Sequence, residues 1–192
     1  MVRRVAELNS SVKSADRGKR LFLACWPDQS LQDTLFKLAR RLQKIHGGRK
    51  TPKQNIHLTL LFLGQVPEQK EQDLRHRLRS LEAKEFELEL DKAGCFGHCK
   101  IKWVGASMQP AALRNLYRGL QQICHELGLL TDDKAFRPHI TLLRNSRGEI
   151  GQEIRPLCWK VDSYYLIESV QTGAGVEYRI VEEFKLPDEK KE

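Results

Sequence analysis

The chain has 192 residues, with 33 Lys and Arg against 25 Asp and Glu, and its net charge is therefore +8. A hydrophobic fraction of 40% and a charged fraction of 30% exclude a disordered chain, and the length suits one domain. No run approaches the roughly 18 apolar residues that a membrane span needs, and residues 1–18 lack the apolar segment of a secretory signal. The composition predicts a cytoplasmic protein, and its basic balance favours anionic partners over the alternative of a plain solvated surface.

The first half of the chain predicts alternating strands and helices. The apolar run from Arg20 to Trp26 is typical of a buried strand. A helix then follows as far as His46, because leucines recur at spacings of three and four, at Leu31, Leu35, Leu38 and Leu42. The segment from His57 to Leu63 is too short and too apolar for a surface helix, so we expect a central strand. A helix from Pro67 to Leu81 and a strand from Phe86 to Leu90 complete this half.

The second half predicts the same order of elements. Lys100 to Ser107 is a strand, Pro110 to Gly128 encloses an amphipathic helix, and Pro138 to Leu143 is a second strand. Two further strands, from Val161 to Ser169 and from Glu177 to Leu186, end the pattern. Strands that alternate with helices and also form hairpins favour an α+β fold.

The two halves share a short motif. HLTLL begins at His57 and HITLL begins at His139, so the motif strands start 82 residues apart (139 − 57). The first strands of the two halves start 80 residues apart (100 − 20). This repeat predicts two pseudo-symmetric lobes, around residues 20–64 and 100–144, within one domain.

Each motif places a histidine and a threonine on one face of its strand. Residues i and i+2 of a strand share a face, so His57 lies beside Thr59 and His139 lies beside Thr141. If the strands meet about a pseudo-twofold axis, two imidazoles and two hydroxyls converge in one cleft. One histidine can accept a proton from a nucleophile, the other can give a proton to a leaving oxygen, and the hydroxyls can bind phosphate oxygens. The pattern predicts metal-free phosphodiester chemistry; the alternative is two histidines satisfied in a core.

On these residues the sequence resembles the two-histidine phosphoesterases. HLTL at 57–60 and HITL at 139–142 match their paired His-x-Thr-x signatures, most closely those of the LigT-like RNA 2′,3′-cyclic phosphodiesterases, historically called 2′-5′ RNA ligases. The flanking segments RLFLACWP, NIHLTLLFLG, KIKWVGAS and FRPHITLLR match as well, over about residues 19–186. The resemblance implies a bilobal fold whose antiparallel sheets line a central cleft, with helices outside. A flexible basic leader (1–18) and a charged tail (187–192) lie beyond it.

The resemblance also implies a role for each motif residue. His57 would donate a proton to the departing 3′ oxygen, His139 would accept a proton from water, and Thr59 and Thr141 would bind the phosphate. The product would be a 2′-phosphate, made without metal or other cofactor by a monomer that acts on RNA ends or small nucleotides and not at a membrane. The near-identical motifs do not themselves assign donor and acceptor. Two alternatives stay open: 2′-5′ RNA joining or cleavage, and a non-catalytic RNA- or nucleotide-binding module.

Further residues near the motifs are candidate substrate contacts. Arg137 and Arg144 would neutralise a phosphate, and Phe136 would stack on a base; the alternatives are surface arginines and a core phenylalanine. A basic run before the first motif would line the route of an RNA end or simply form a solvated helix face: Arg40, Arg41, Lys44, Arg49, Lys50 and Lys53.

The cysteines and tryptophans have simpler interpretations. Five cysteines, an odd number spread along the chain, predict free thiols. The segment CFGHC at 95–99 has no second Cys/His pair at zinc-site spacing, so it predicts a loop and not a metal centre. Trp26, Trp103 and Trp159 lie in or beside predicted strands, and we expect them in the core.

Overall fold

The computed structural model describes residues 18–129, 135–150, 152–173 and 175–188. All of the predicted leader except Gly18 lies outside the described residues, and so does the end of the predicted tail, 189–192. None of the helices in these four ranges is long and apolar enough to cross a membrane.

The described residues form three helices and nine strands, which confirms the predicted α+β class. The helices are α1 (Gln29–His46), α2 (Glu68–Arg79) and α3 (Ala111–Glu126), with a short 3-10 turn at Lys53–Asn55. The strands are β1 (Lys19–Cys25), β2 (Arg49–Lys50), β3 (Leu58–Val66), β4 (Phe86–Phe96), β5 (Ile101–Gly105), β6 (His139–Arg144), β7 (Gln152–Val161), β8 (Ser163–Thr172) and β9 (Gly175–Lys185).

The strands form one antiparallel sheet whose centre holds the two motif strands. The order is β7-β4-β5-β6-β3-β1-β8-β9, with β2 beside β6. Read outwards from the centre, one side runs β3-β1-β8-β9 and the other runs β6-β5-β4-β7. Each motif strand therefore has the first strand of its own repeat as its outer neighbour, the arrangement that a twofold repeat requires. The lobe limits drawn from the sequence repeat stay a prediction.

The apolar positions of both motifs lie in the main core. Leu58 and Leu60 of β3 and Ile140 and Leu142 of β6 are at most 4% exposed. Helices cover that face of the sheet with their apolar stripes, among them Leu35, Ala39, Leu42, Leu113, Leu116 and Leu120. Because side chains alternate along a strand, burial of these positions turns the histidines and threonines of both motifs to the opposite face.

The ends of α1 follow from local chemistry. Asp28 caps the helix, since its carboxylate Oδ1 accepts a hydrogen bond from the backbone N–H of Leu31 at 2.7 Å. Gly47 follows the last residue with φ of 63°, a left-handed conformation that glycine adopts without a Cβ clash. The helix thus ends where β2 must begin its pairing with β6.

Several strands differ from the sequence prediction, and the two-residue β2 was not predicted. β4 continues beyond Leu90 to Phe96, and β3 continues beyond Leu63 to Val66 through Gly64, whose φ is 68°, at an irregularity in its pairing with β1. β7 was not predicted at all, because Pro156 interrupts its strand pattern. A proline is tolerated there because β7 lies at the end of the strand order, where one side of the strand has no ladder to complete.

The prediction of free thiols is wrong for two of the five cysteines. Cys95 and Cys99 form a disulfide across the β4–β5 turn, with their Cα atoms 4.7 Å apart. The extension of β4 to Phe96 makes this a tight hairpin, which brings the two cysteines together. The remaining cysteines are free: Cys25, Cys124 and Cys158.

Candidate active site

The pairing of β3 with β6 brings the two motifs together. Leu58 lies opposite Ile140 in antiparallel register, so the flanking residues place His57 beside Thr141 and Thr59 beside His139. All four polar side chains line one cavity of about 560 Å³. The convergence expected from the repeat is therefore present.

Both histidines are anchored in the same way, two residues after a backbone carbonyl. Nδ1 of His57 lies 2.8 Å from the carbonyl oxygen of Asn55, and Nδ1 of His139 lies 2.7 Å from that of Arg137. A carbonyl oxygen only accepts, so the hydrogen-bond network assigns the proton to Nδ1 in both neutral rings. Nε2 is then the atom with the free lone pair in each histidine.

Thr59 makes direct contact with Nε2 of the histidine in its own motif. Its hydroxyl Oγ1 lies 2.9 Å from Nε2 of His57. When the ring is neutral, the hydroxyl donates to Nε2; when the ring is protonated, Nε2–H donates to the hydroxyl. The threonine can therefore keep this hydrogen bond when His57 gains or loses a proton, because its O–H can rotate.

Aromatic rings enclose His57. Trp26 stacks on the imidazole with a centroid separation of 4.9 Å and an interplanar angle of 14°. Phe22 lies at 5.2 Å in a tilted arrangement, and Tyr178 meets the ring edge-on at 5.3 Å and 89°. With three rings around it, the imidazole makes its polar contacts through its two nitrogen atoms.

His139 has a more open environment. Phe96 contacts it edge-on at 4.9 Å and 83°, and Trp103 lies farther away, at 6.3 Å and 63°. Neither ring lies parallel to the imidazole. The two histidines thus differ in their surroundings although their motifs are nearly identical.

Burial lowers the pKa of both histidines. The pKa of His57 falls to about 4; the hydrogen bond to Asn55 opposes this change, while the positive charges of Arg144 and His139 add to it. The pKa of His139 also falls, through burial and the charge of Arg144, against the opposing hydrogen bond to Arg137. In the free protein at neutral pH, His57 is therefore an uncharged base.

Positive charge lines one side of the cavity. Arg49 pairs with Arg144 across the β2–β6 ladder, and both border the cavity together with Lys50, whose Nζ donates to Gln43 Oε1 at 2.6 Å. No Asp or Glu stands among the described residues that line it. This charge distribution suits an anionic ligand.

The candidate contacts beside the second motif have separate positions. Arg144 borders the cavity. Arg137 contributes its backbone carbonyl to His139, but its exposed side chain is not among the lining residues. Phe136 stacks on Tyr117 at 4.0 Å and 11° and packs against the main core, away from the cavity.

The basic run before the first motif divides between cavity and solvent. Arg49 and Lys50 line the cavity, whereas Lys53 pairs with Asp33 at 2.5 Å. The other three side chains project from α1 and are exposed: Arg40, Arg41 and Lys44.

Sequence analysis missed the aromatic residues around the histidines. Trp26, expected in the core, is half-buried and stacks on His57, and Tyr178 comes from β9, more than a hundred residues away in the chain. A signal was present for two of them, since Phe22 lies in β1 and Trp26, directly after that strand, is four residues away and continues the same alternation. Nothing local in the sequence pointed to Tyr178 or to Phe96.

Known proteins share both this sequence and this fold. A family model described as LigT like Phosphoesterase matches residues 26–102. An RNA 2′,3′-cyclic phosphodiesterase of Thermus thermophilus is 31% identical over 183 residues, which cover 88% of this chain and 91% of the relative. A protein of the same name from Archaeoglobus fulgidus is 27% identical over 177 residues, which cover 86% and 99%.

Solved structures agree with these sequence matches. The crystal structure of E. coli LigT in its apo form superposes with a TM-score of 0.81 at 26% identity, covering 91% of this chain and all of that one. E. coli LigT in complex with 3′-AMP superposes with a TM-score of 0.80 at 27% identity, covering 88% and 98%. The chain belongs to the LigT-like phosphoesterase family.

Proposed function

We propose that this protein is an RNA 2′,3′-cyclic phosphodiesterase that converts a 2′,3′-cyclic phosphate to a 2′-phosphate without a metal. One observation carries the proposal: two histidines, each with Nδ1 held by a backbone carbonyl, share one cavity with two threonine hydroxyls. The names of the similar proteins support the same activity.

The substrate phosphate would bind between the two motifs. The hydroxyls of Thr59 and Thr141 are placed to donate to its non-bridging oxygens, and Arg144 supplies a positive charge at the border of the cavity. These interactions strengthen as negative charge accumulates on the oxygens in the transition state, so they lower the barrier as well as hold the ligand.

The hydrolysis requires two proton transfers. The oxygen of a water molecule forms a bond to phosphorus while Nε2 of one histidine takes a proton from it. The bond between phosphorus and the 3′ oxygen breaks, and Nε2–H of the other histidine gives its proton to that oxygen. The products are a 2′-phosphate and a free 3′ hydroxyl, and the two histidines end with their protonation states exchanged.

The resemblance makes His57 the donor and His139 the acceptor. His57 is neutral in the free protein, so this assignment requires that the phosphate be bound before the ring gains its proton. A phosphate anion in the cavity raises the pKa of a neighbouring imidazole, since opposite charges favour the protonated form. We propose this order: the phosphate anion binds first, and His57 is protonated afterwards.

The cavity and its charges support RNA ends or small nucleotides as substrates, and we propose that the protein acts on them as a monomer. The volume of about 560 Å³ accommodates one nucleotide, within the usual size range of small-ligand sites. Arg49 and Lys50 extend the positive surface beyond the reacting phosphate and would contact the next phosphate of a chain. The presence of 3′-AMP in E. coli LigT is consistent with a nucleotide in this cavity.

The proposal is tested by incubating the protein in EDTA with an RNA oligomer that ends in a 2′,3′-cyclic phosphate. We expect a 2′-phosphate, identified by mass and by phosphatase and periodate sensitivity, and no turnover by His57→Ala. His76→Ala, at an exposed histidine of α2, is the control and should retain full activity. Tight binding without conversion would favour a binding module, and a joined product with a 5′-hydroxyl RNA would favour ligation. A requirement for added metal would contradict the metal-free mechanism.

A further inference from the structure

Among the described residues, Trp26 is the one ring that lies flat against a motif histidine. It directly follows β1, and the pairing of Cys25 with Leu58 sets it next to His57. The indole and imidazole planes differ by 14°, with centroids 4.9 Å apart. Trp26 is half-buried and packs with a small second cluster on this face of the sheet, apart from the main core.

The stacked indole restricts a motion that the hydrogen bonds of His57 leave free. Nδ1 is held by Asn55 and Nε2 contacts Thr59, so both nitrogen ends of the imidazole have a partner. These two hydrogen bonds still allow the ring to swing out of its plane, which turns Nε2 away from its direction in the cavity. A flat indole against one face restricts that motion.

In the part of the second half that the structure describes, this indole has no counterpart. Val104 pairs with Ile140 as Cys25 pairs with Leu58, so the position equivalent to Trp26 is Gly105. A Cβ atom on Gly105 would lie 2.7 Å from the carbonyl oxygen of Pro138, so a side chain there requires a shift of the backbone. The stacking is therefore specific to the first motif.

We propose that Trp26 is a positioning residue for the phosphodiesterase reaction: its indole sets the tilt of the His57 ring and closes one face of that ring to water. The proposal rests on the proposed function, because the ring it orients is the acid–base group of that reaction. Trp26 itself exchanges no proton with the substrate. Its action on the reaction passes through the direction in which Nε2 of His57 points.

The electrostatic consequence concerns how easily His57 gains a proton. The charged and titratable groups that face it are Arg144 and His139 from β6 and the phenol of Tyr178 from β9. Burial is the largest cause of its lowered pKa, and the stacked indole of Trp26 is one of the three rings that surround it. Removal of the indole admits water to the ring, so the pKa of His57 should rise towards the ordinary value of 6.5.

The test compares Trp26→Leu, which keeps apolar bulk, with Trp26→Phe, which keeps a flat ring. In Trp26→Leu we expect kcat to fall about tenfold with KM within about twofold, because misorientation of an acid–base group affects the chemical step. NMR titration of the His57 ring, identified by its loss in His57→Gln, should show a pKa at least about one unit higher in Trp26→Leu, since burial in this range shifts a histidine by more than that. Trp26→Phe should keep most of the wild-type kcat and a His57 pKa close to that of the wild type.

The NMR titration keeps failure of this proposal separate from failure of the proposed function. If the wild-type protein hydrolyses no cyclic phosphate, the function is wrong, and the His57 titration still decides whether Trp26 controls the ring. An unchanged titration in Trp26→Leu would overturn the proposal, whether or not activity falls. A rise in KM with kcat preserved would also overturn it, because that result describes a binding residue. Trp159→Phe, on β7, is the matched control and should change neither quantity.

Discussion

The two motif strands of this protein have nearly the same sequence and different surroundings. In both, a histidine donates through Nδ1 to a carbonyl two residues earlier, and the apolar positions that follow are buried. His57 lies among three aromatic rings, one of them stacked, whereas His139 is met by ring edges. The difference comes from the neighbouring strands, because β1 leads into Trp26 where β5 ends at Gly105.

This comparison shows how a duplicated motif can supply two unequal groups. Acid–base catalysis requires one protonated and one neutral partner at the same pH, and unequal environments separate the pKa values of the two groups. The shared features place both histidines at one cavity with Nδ1 hydrogen-bonded to a carbonyl. The features that differ determine which histidine resists protonation more strongly, and in the free protein it is His57.

The largest expected effect is the loss of either histidine. His57→Ala and His139→Ala should each lower turnover by about 10²–10⁴-fold, the usual contribution of an acid–base group. A cyclic substrate with sulfur in place of the bridging 3′ oxygen separates their roles, since a thiolate leaves without a proton. The donor variant should recover much of its rate on this substrate and the acceptor variant should not. Recovery by His139→Ala instead of His57→Ala would reverse the assignment.

A second expected effect is on stability in acid. The pKa of His57 is about 4 in the folded protein against an ordinary value of 6.5, so between these pH values the unfolded chain binds a proton that the folded protein excludes. The stabilisation is complete above pH 6.5 and is lost as the pH falls to about 4, up to roughly 3 kcal/mol. Urea unfolding across this range should show a shallower pH dependence for His57→Asn. An unchanged slope would mean that His57 is not buried in its neutral form.

A third expected effect concerns Arg144, whose charge acts on both histidines. Its charge lowers the pKa of both, and it borders the cavity. Arg144→Gln should therefore raise the pKa of both histidines. It should also raise KM by about tenfold, the usual effect of losing one charged contact to phosphate. The control is Arg137→Gln, because that side chain lies outside the cavity lining and should change KM little. If the pKa of only one histidine shifted, Arg144 would act on only one of the two motifs.

The smallest expected effect is on the pH profile of kcat/KM, which reports the free protein. We expect a bell with its acid limb near pH 4 and its alkaline limb below pH 6.5, since both histidines have lowered pKa values. The limbs belong to the pair, so the profile alone does not name the donor. Trp26→Leu should move the acid limb upward, and Phe96→Leu should act mainly on the alkaline limb. If each substitution moved both limbs of the profile equally, the two histidines would not have the different environments seen in the structure.

The sequence was sufficient for elements whose signal is local. Periodic leucines predicted α1 and α3, apolar runs predicted β1, β3 and β6, and the spacing of His57 and Thr59 placed both on one strand face. It was insufficient for β7, whose Pro156 is acceptable only because the strand lies at the end of the sheet order. It also did not predict the Cys95–Cys99 disulfide, which depends on how far β4 extends.

The chemistry of the site divides in the same way. The sequence by itself determined which groups can transfer protons and bind phosphate, because residue type and strand alternation are local properties. The tertiary structure alone decided how the two histidines differ, through Trp26, Phe22 and Tyr178 around one and Phe96 beside the other. The pKa of an imidazole depends on the water, rings and charges within a few ångströms of it, and strand pairing brings those groups from distant parts of the chain.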